Sequence, residues 1–399
     1  MNELEKKIEK EKKRYQDFIK KNNEKKIMIY GAGKQAKMLT EFLNTIGLTI
    51  DGYCVTEKAK NKEYENNIKI YQVDDSKLKK EDIAFLVGVR SQLNSEIEQK
   101  LKENGFDNYL LASDYIRYLG KYGYDFYMNP MLEITTKVGC SVNCKYCPQS
   151  TFINKYFESG ECERYLSLDN YKKCIDKLPS NVLIEFAGFT ESLLNDNCIE
   201  MVEYAIEKKH NVNMFTTLVG ADINVINKFL KIDFKEFVLH LPDKENLSNI
   251  ELSSEYINMV KILTDAKKTN GTDFVDYACS QGQIPDSLYE IIKNKIRIYI
   301  VLNDRAGNLQ CAELYHKNNI TGKIRCELAH DINHNVLLPD GRIVICSNDW
   351  GMKHVLGNLL EQTYEEIING KEAQNIRADM KNINGSYSLC RNCFQAIQY

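Results

Sequence analysis

The sequence has no long apolar run and no strong excess of charge of either sign. No stretch approaches the roughly 20 apolar residues that a membrane-spanning helix needs. The N-terminal segment, MNELEKKIEKEKKRYQDFIKKNNEKK, has no apolar core of the kind that secretory signals carry. The formal net charge of the 399-residue chain is −3, so no overall field attracts nucleic acid or an anionic membrane. These absences predict a cytoplasmic protein that binds neither nucleic acid nor membrane.

The chain also has no internal repeat and no low-complexity linker, and its length favours two or three domains. It contains 13 cysteines, an odd number. Because cytoplasmic thiols stay reduced, these cysteines are interpreted as metal ligands, redox groups or small buried hydrophobes rather than as disulfides. Four of them are interpreted as packing residues: Cys54, Cys162, Cys174 and Cys198.

The N-terminal part reads as a charged helix over residues 1–25 and an α/β domain over 26–118. In that domain the strand pattern KIMIY leads into G-x-G-x-x-A, formed by Gly31, Gly33 and Ala36, which opens an amphipathic helix. Such a turn allows the backbone to approach a pyrophosphate. The domain resembles the small Rossmann-like modules of bacterial sugar-modifying and acyltransferase proteins. That leaves three interpretations: nucleotide-sugar binding, NAD(P) binding, or a ligand-free packing module.

Six apolar strand patterns alternate with helical patterns over residues 126–315. This alternation predicts a parallel sheet, here a partial (β/α)6 barrel whose chemistry lies at the carboxyl ends of its strands. The last region, 316–399, changes character: HNVLLPDGRIVIC predicts a β-hairpin, followed by helical segments. The predicted fold class is α/β, with a Rossmann-like parallel sheet, a central partial barrel and a small C-terminal hairpin-plus-helix iron–sulfur domain.

Three cysteines stand together directly after the first barrel strand, in GCSVNCKYCPQS. Thiolates select zinc, Cu(I) or iron–sulfur clusters. A structural zinc site uses four closed ligands, whereas a loop with three cysteines can hold a cubane and leave one iron open for chemistry. A chance cluster or a zinc knuckle is the alternative. The candidate ligands are Cys140, Cys144 and Cys147.

The CxxxCxxC spacing, with Tyr146 directly before the third cysteine, resembles the radical S-adenosylmethionine (SAM) superfamily. The resemblance implies that the open iron of a [4Fe–4S] cluster binds SAM, and that one electron cleaves the sulfonium to give a 5′-deoxyadenosyl radical that abstracts hydrogen from a substrate. It also implies a one-electron donor such as flavodoxin or ferredoxin. The turn FAGFTESLLN resembles the family's Gly-Gly-Glu-Pro turn. By that resemblance Gly188 approaches SAM and Glu191 accepts from its ammonium group.

Other candidate residues follow the barrel strands. Arg305 is expected to hold the SAM carboxylate or a substrate anion, or else to be a loop residue. Cys279 and Cys311 are hydrogen-donor candidates, with burial as small hydrophobes the alternative. The remaining strand-end candidates for SAM or substrate are Thr216, Thr217 and His240.

The C-terminal region supplies four more cysteines, a set that suits zinc or a fully ligated [4Fe–4S] cluster. Their spacing resembles the Twitch/SPASM extension of radical SAM proteins, which implies an auxiliary cluster and, with four cysteines, the single-cluster Twitch form. The proposed auxiliary ligands are Cys326, Cys346, Cys390 and Cys393.

Together these patterns predict a radical SAM enzyme with two [4Fe–4S] clusters. It would act on a small molecule, a sugar or nucleotide-sugar that it oxidises or epimerises in surface-polysaccharide or related biosynthesis. One alternative is a SPASM-type peptide or protein maturase, although no winged-helix pattern is present. Another is a zinc-stapled nucleotide-binding regulatory protein without radical chemistry.

Overall fold

The structure is a computed structural model that describes residues 3–57, 63–65, 68–89, 93–112, 128–158, 160, 162–292, 296–298, 304–309 and 320–398. The chain divides into two compact units, Met1–Met128 and Asn129–Tyr399. The second unit contains both the predicted barrel and the predicted C-terminal domain. None of the described helices is long and apolar enough to cross a membrane.

The first unit is a six-stranded sheet with helices on both faces. Its strand order is β3-β4-β2-β1-β5-β6, and every neighbouring pair is parallel except β3 with β4. The strands are β1 (Lys26–Tyr30), β2 (Gly52–Val55), β3 (Tyr64–Glu65), β4 (Ile68–Gln72), β5 (Ile83–Val87) and β6 (Tyr109–Leu111). The helices are α1 (Glu3–Lys21), α2 (Lys34–Thr45) and α3 (Asn94–Glu103).

Alternation along β1 explains why helices cover both faces. Ile27 and Ile29 belong to a core that contains α2, whereas Met28 and Tyr30 belong to a core that contains α3. Buried parallel strands are apolar on both sides for this reason. The charged helix α1 joins the first core through Tyr15, whose ring meets Phe42 edge-on at 5.9 Å between centroids. The predicted Rossmann-like parallel sheet is confirmed.

The second unit is built on a nine-stranded sheet. Its barrel strands are β7 (Met131–Ile134), β8 (Leu183–Phe186), β9 (Val212–Thr216), β10 (Glu236–His240), β11 (Tyr277–Ser280) and β12 (Ile296–Ile298). The helices between them are α4 (Gln149–Phe157), α5 (Leu168–Ile175), α6 (Cys198–Glu207), α7 (Ile223–Phe229), α8 (Ser254–Asp265) and α9 (Asp286–Ile292). The C-terminal elements are β13 (Ile324–Cys326), β14 (His334–Leu337), β15 (Arg342–Val344), β16 (Val355–Asn358), α10 (Tyr364–Ile368), α11 (Lys371–Lys381) and β17 (Ala396–Gln398).

The C-terminal hairpin continues the barrel sheet. The order is β12-β11-β10-β9-β8-β7-β14-β15-β16, parallel from β12 to β14 and antiparallel beyond. The six parallel strands of the predicted partial barrel and the hairpin at Pro339-Asp340-Gly341 are both confirmed. A separate two-stranded ribbon pairs β13 with β17 and brings the chain end back to Cys326.

Alternation along the barrel strands separates an apolar outer face from a polar inner layer. Leu132, Ile184 and Met214 join the helices in one large core. On the opposite face, Glu133 pairs in register with Glu185, which pairs with Asn213. These three polar residues are all buried. Several helices begin at side-chain caps that match their sequences, at Ser167, Asp222 and Ser253.

Candidate functional site

A cavity lies at the carboxyl ends of the barrel strands. It gathers the residues that were predicted from separate parts of the sequence, in the one place where parallel strands of a barrel all end. The lining includes Cys140, Cys144, Tyr146, Cys147, Gly188, Glu191, Thr216, Thr217, His240 and Arg305, together with Val142, Pro148, Ala187, Phe189, Thr190, Phe215, Gln281 and Trp350.

The cysteine loop runs from Gly139 to the start of α4 and is closed by local hydrogen bonds. Gln149, in the first turn of α4, accepts from the Cys140 backbone N–H at 2.9 Å and donates to Asn143 at 2.6 Å. Asn143 adopts a left-handed conformation with φ of 49°. Asn tolerates this conformation better than most residues, and here it lets the loop reverse direction between the first two cysteines.

The three thiols of the loop are close enough to influence one another. Burial raises the pKa of Cys144 to about 11, with a further rise from Cys140. Burial also raises the pKa of Cys147 to about 12, and Cys144 and Cys140 add to the rise. A positive metal centre offsets such mutual repulsion because it deprotonates the thiols that bind it. Three neighbouring thiols on a cavity wall therefore suit an iron–sulfur cluster.

Among the residues that the structure describes, no three His, Cys, Asp or Glu side chains converge closely enough to bind one metal ion. A [4Fe–4S] cluster has a different requirement, since its four thiolates bind four different irons. The donor chemistry of the loop, three thiols and no carboxylate, fits such a cluster.

Gly188 is required by the close approach of two strand ends. Its φ is +54°, and a Cβ there would lie 2.6 Å from Thr135 Oγ1 and 2.7 Å from the Ile134 carbonyl oxygen. The next residue, Phe189, donates its backbone N–H to Thr135 Oγ1 at 3.1 Å. The turn after β8 is therefore held directly against the end of β7, from which the cysteine loop begins.

Glu191 is buried on the cavity wall, and its carboxylate already accepts four hydrogen bonds. Oε1 accepts from Thr216 Oγ1 at 2.9 Å and from the Leu193 N–H at 3.3 Å. Oε2 accepts from the backbone N–H and the hydroxyl of Thr217, each at 2.6 Å. A carboxylate offers about four acceptor positions. In this geometry Glu191 joins the end of β9 to the turn after β8, and the role in binding an ammonium group stays a prediction.

His240 and Arg305 face the same cavity from different strand ends. Burial, with the Arg305 guanidinium as the second cause, lowers the pKa of His240 to about 4. The imidazole is therefore uncharged at neutral pH. Arg305 also affects the buried Glu133. Burial raises the pKa of Glu133, and a hydrogen bond from Ser347 and the charge of Arg305 partly offset that rise. Arg305 is thus the cationic group common to the cysteine loop, His240 and the inner polar layer.

Three of the lining residues that were not predicted as site residues carry polar side-chain atoms. Trp350 Nε1, Thr190 Oγ1 and Gln281 Oε1 are buried atoms without a hydrogen-bond partner among the described residues. Trp350 also packs on Phe189, with 4.4 Å between ring centroids. Two signals were available: Trp350 is the only tryptophan of the chain and lies close to Cys346, and Gln281 directly follows strand β11.

Cys279, one of the two hydrogen-donor candidates, does not belong to this lining. Cys279 is 2% exposed and packs with Val238, Tyr277 and Phe215 beneath the cavity. Its donor role stays a prediction, and its burial agrees with the alternative of a small packed hydrophobe. Cys311 lies outside the described residues.

The four C-terminal cysteines lie near one another although they come from three separate segments. Burial raises the pKa of Cys346, and Cys393 and Cys390 raise it further. Burial likewise raises the pKa of Cys390, with contributions from Cys393 and Cys326. Backbone N–H groups donate to two of the sulfurs, Leu328 to Cys326 and Gln395 to Cys393, each at 3.4 Å. Four thiols of this kind suit a fully ligated cluster.

Arg391 and His354 brace the segment that carries the last two cysteines. Arg391 is 1% exposed, pairs with Asp379 at 3.1 Å and donates to carbonyl groups such as that of Ile320 at 3.0 Å. The Leu389 N–H donates to His354 Nε2 at 3.0 Å, so the proton on Nδ1 is available for Glu372 at 2.6 Å. These buried bonds determine where Cys390 and Cys393 lie.

The glycine turn of the first unit has the geometry that its sequence predicts. Gly31 has φ of +113°, and a Cβ there would lie 2.9 Å from the Gly88 carbonyl oxygen. Gly33 precedes α2 without a side-chain cap. Ala36 is fully buried, and its Cα would lie 3.2 Å from a Cβ on Gly88. Asp51 accepts the Ile27 N–H at 2.8 Å at the start of β1, so it lies away from this turn.

The chain is similar to characterised proteins. It is 25% identical over 275 residues to the S-adenosyl-L-methionine-dependent 2-deoxy-scyllo-inosamine dehydrogenase of Niallia circulans, a match that covers 66% of this chain and 92% of the relative. Solved structures that it resembles include BtrN in complex with AdoMet and 2-DOIA (17% identity, 64% and 88% of the two chains, TM-score 0.42). The Streptococcus suis protein SuiB bound to its precursor peptide SuiA is another (14%, 72% and 79%, TM-score 0.44).

We predict that Gly188→Ala lowers the free energy of unfolding of the second unit by at least about 2 kcal/mol, because backbone strain is added to a clash with β7. Gly271→Ala is the matched control: it has φ of +80° with nothing within 4 Å of the added Cβ. It should therefore cost only about 1 kcal/mol from strain. Urea unfolding of both variants measures the difference, and equal losses would contradict the close-approach argument.

Residues 326–394 match the family model of the SPASM iron–sulfur cluster-binding domain. The match includes all four C-terminal cysteines, and it favours iron–sulfur chemistry over the zinc alternative. The CxxxCxxC loop supplies the other cysteine group. The match to the dehydrogenase covers 92% of the length of that relative. The chain carries a SPASM iron–sulfur cluster-binding domain at residues 326–394 and is similar, over 66% of its length, to an S-adenosyl-L-methionine-dependent dehydrogenase.

Proposed function

We propose that this enzyme cleaves SAM reductively and oxidises a carbinol of a small, sugar-like substrate. The observation that carries the proposal is the single cavity in which the three cysteines of the loop meet Arg305, His240 and the turn at Gly188. The name of the relative, an S-adenosyl-L-methionine-dependent dehydrogenase, supports oxidation as the outcome. Epimerisation stays the second outcome of the same chemistry.

Cys140, Cys144 and Cys147 would hold the cluster at the mouth of the cavity. When bound, a [4Fe–4S] cluster with SAM supplies one electron to the sulfonium and thereby a hydrogen-abstracting 5′-deoxyadenosyl radical. The chain's own residues orient the ligands and keep water out. Phe189 and Trp350 provide an apolar wall, and the buried polar atoms of Thr190, Gln281 and Trp350 offer hydrogen bonds to a bound ligand.

His240 suits the role of proton acceptor. Oxidation of a carbinol to a carbonyl removes one hydrogen atom and one electron, and it releases one proton. The low pKa keeps the imidazole deprotonated beforehand, and loss of the electron makes the carbinol hydroxyl acidic enough to pass its proton to the ring. Arg305, which shares the cavity, suits an anionic or hydroxyl group of SAM or the substrate.

The four C-terminal thiols would hold the second cluster, a one-electron acceptor for the oxidation. The proposal therefore requires an external one-electron donor for the first cluster, such as flavodoxin or ferredoxin. The peptide-maturase alternative is not favoured by the first unit, which is a Rossmann-ordered sheet.

Replacing Cys144 with Ala should abolish SAM-dependent formation of 5′-deoxyadenosine, because the first cluster loses one of only three ligands. After anaerobic reconstitution the unmodified chain should bind about eight irons, four for each cluster. Cys390→Ala should lose about four of these irons and still bind SAM. Iron analysis and chromatography of the nucleoside measure both results. Zinc as the bound metal, with no SAM cleavage, would contradict the proposed function.

The low pKa of His240 should be visible in the way the stability of the chain depends on pH. In the folded chain the group titrates near pH 4, against about 6.5 when unfolded. Between these values the unfolded state binds more protons, so this contribution to stability decreases as the pH falls from 6.5 to 4. Relative to His240→Gln, the chain before iron reconstitution should lose roughly 2 kcal/mol over this range, with allowance for partial solvent screening. Denaturant unfolding across the range measures it, and parallel pH profiles would refute the assignment.

The first unit is proposed to bind a nucleotide-sugar at the turn Gly31–Gly33. The support is local: the backbone is open at the N-terminus of α2, and the sheet order reverses beside β1. Gly33→Val adds a side chain where nothing lies within 4 Å, so it should block a phosphate without unfolding the unit. Calorimetry with UDP- and GDP-sugars should show at least tenfold weaker binding by this variant. No binding by the unmodified chain would exclude these ligands.

A further inference from the structure

The loop from Cys346 to Trp350, here called the bridging loop, contributes to both sites of the second unit. Cys346 is one of the four C-terminal thiols, and Trp350 lines the cavity. Between them, Asn348 donates from Nδ2 to Cys393 Sγ at 3.6 Å. Ser347 reaches the inner polar layer through a hydrogen bond with Glu133. One short loop therefore contacts the proposed auxiliary ligands, the cavity and the barrel interior.

A second contact ties Asn348 to the cavity. Asn308 Nδ2 donates to the Asn348 carbonyl oxygen at 2.9 Å and to the Arg305 carbonyl oxygen at 2.8 Å. Gly351 leaves room for this arrangement, because a Cβ there would lie 2.8 Å from Asn308 Oδ1. The chain of contacts from Arg305 through Asn308 and Asn348 to Cys393 is continuous. The main chain of Asn348 is therefore held in place by Asn308, while its side chain donates to the Cys393 sulfur.

A hydrogen bond to a cysteine sulfur has a direct redox consequence. Each electron added to an iron–sulfur cluster makes its sulfurs more negative, so a donor to sulfur stabilises the reduced form more than the oxidised form. The reduction potential rises as a result. The Leu328 and Gln395 donors are backbone groups, which only a substitution by proline would remove. Asn348 is a side-chain donor to a sulfur of this set, and so it is open to mutation.

We propose that Asn348 raises the reduction potential of the cluster at Cys326, Cys346, Cys390 and Cys393 and thereby makes it a competent acceptor for the electron released in the cavity. This inference rests on the proposed function. In the balanced step, a carbinol radical of the substrate loses one proton to His240 and one electron, and becomes a carbonyl. A cluster held by the four C-terminal cysteines would take up that electron.

The test is a potentiometric titration of the reconstituted full-length chain, with the auxiliary cluster followed by electron paramagnetic resonance. Asn348→Ala removes the donor, and Asn348→Asp keeps the shape but offers no N–H. Both variants should make reduction at least about tenfold less favourable, equivalent to a drop of about 59 mV for one electron. Asn369→Ala is the matched control, since the Asn369 side chain donates to the Glu365 carbonyl at the end of α10, away from the four thiols. It should leave the midpoint unchanged.

Iron content and melting temperature are measured on the same samples and should match those of the unmodified chain. An unchanged midpoint with full iron in both Asn348 variants overturns this inference and leaves the proposed function standing. Loss of about four irons in both variants also overturns it, because Asn348 would then hold the cluster in place rather than adjust its potential. An unmodified chain that takes up no second cluster overturns the proposed function itself.

Discussion

The parallel ladder between β7 and β14 is the interaction on which the second unit depends. It pairs Met131 to Ile134 with His334 to Leu337 and is extended at its ends by backbone hydrogen bonds such as Thr135 N–H to the Leu337 carbonyl at 2.9 Å. Strand β7 leads into the cysteine loop, and β14 leads through β15 into the bridging loop. Because strand direction and register are fixed by the ladder, β7 and β14 end at the same edge of the sheet. Strand β15 then runs back antiparallel to β14 and leads into the bridging loop beside the inner polar layer, where Ser347 meets Glu133. Without this pairing, the C-terminal segments would not be joined to the barrel sheet beside the cavity.

Electrostatics in the cavity follow from burial. Glu191 can remain buried because four donors satisfy its carboxylate, which turns a costly group into a brace between two strand ends. Burial, with the Arg305 guanidinium as the second cause, keeps His240 in its neutral form. The same low-dielectric surroundings raise the pKa of the cysteine thiols, which makes a cationic metal centre the natural partner for them. Dry surroundings thus determine the charge state of each group and suit radical chemistry, in which water is a competitor.

The two cysteine groups differ in a way that matches their proposed roles. Three thiols in one loop would leave one iron of a [4Fe–4S] cluster without a protein ligand, whereas four thiols from separate segments could ligate all four irons. The closed set is braced by the buried Arg391 and by the His354–Glu372 pair. A rigid, fully ligated site changes little between oxidation states, which favours electron transfer over ligand exchange. The bridging loop places these two kinds of site within reach of each other.

Much of this organisation was predictable from local patterns. The spacing of Cys140, Cys144 and Cys147 and the glycine turn at Gly31 depend on residues that are neighbours in the chain, so their chemistry is visible without a fold. Strand alternation predicted the six-stranded barrel. The rule that chemistry lies at strand ends predicted His240 and Arg305 as site residues, and both line the cavity. The positions of Trp350 and Gln281, the saturation of Glu191 and the route from Arg305 to Cys393 were not predictable. Each of them joins residues that are far apart in sequence, and the side chains meet only because strand pairing decides which segments of the chain lie side by side. By itself, then, the sequence determined which candidate cysteine ligands and which glycine turns this protein has, because side-chain chemistry and backbone preference are local properties. Tertiary structure alone decided which of those groups share a cavity, because that depends on the pairing of β7 with β14 and on the burial that follows from it.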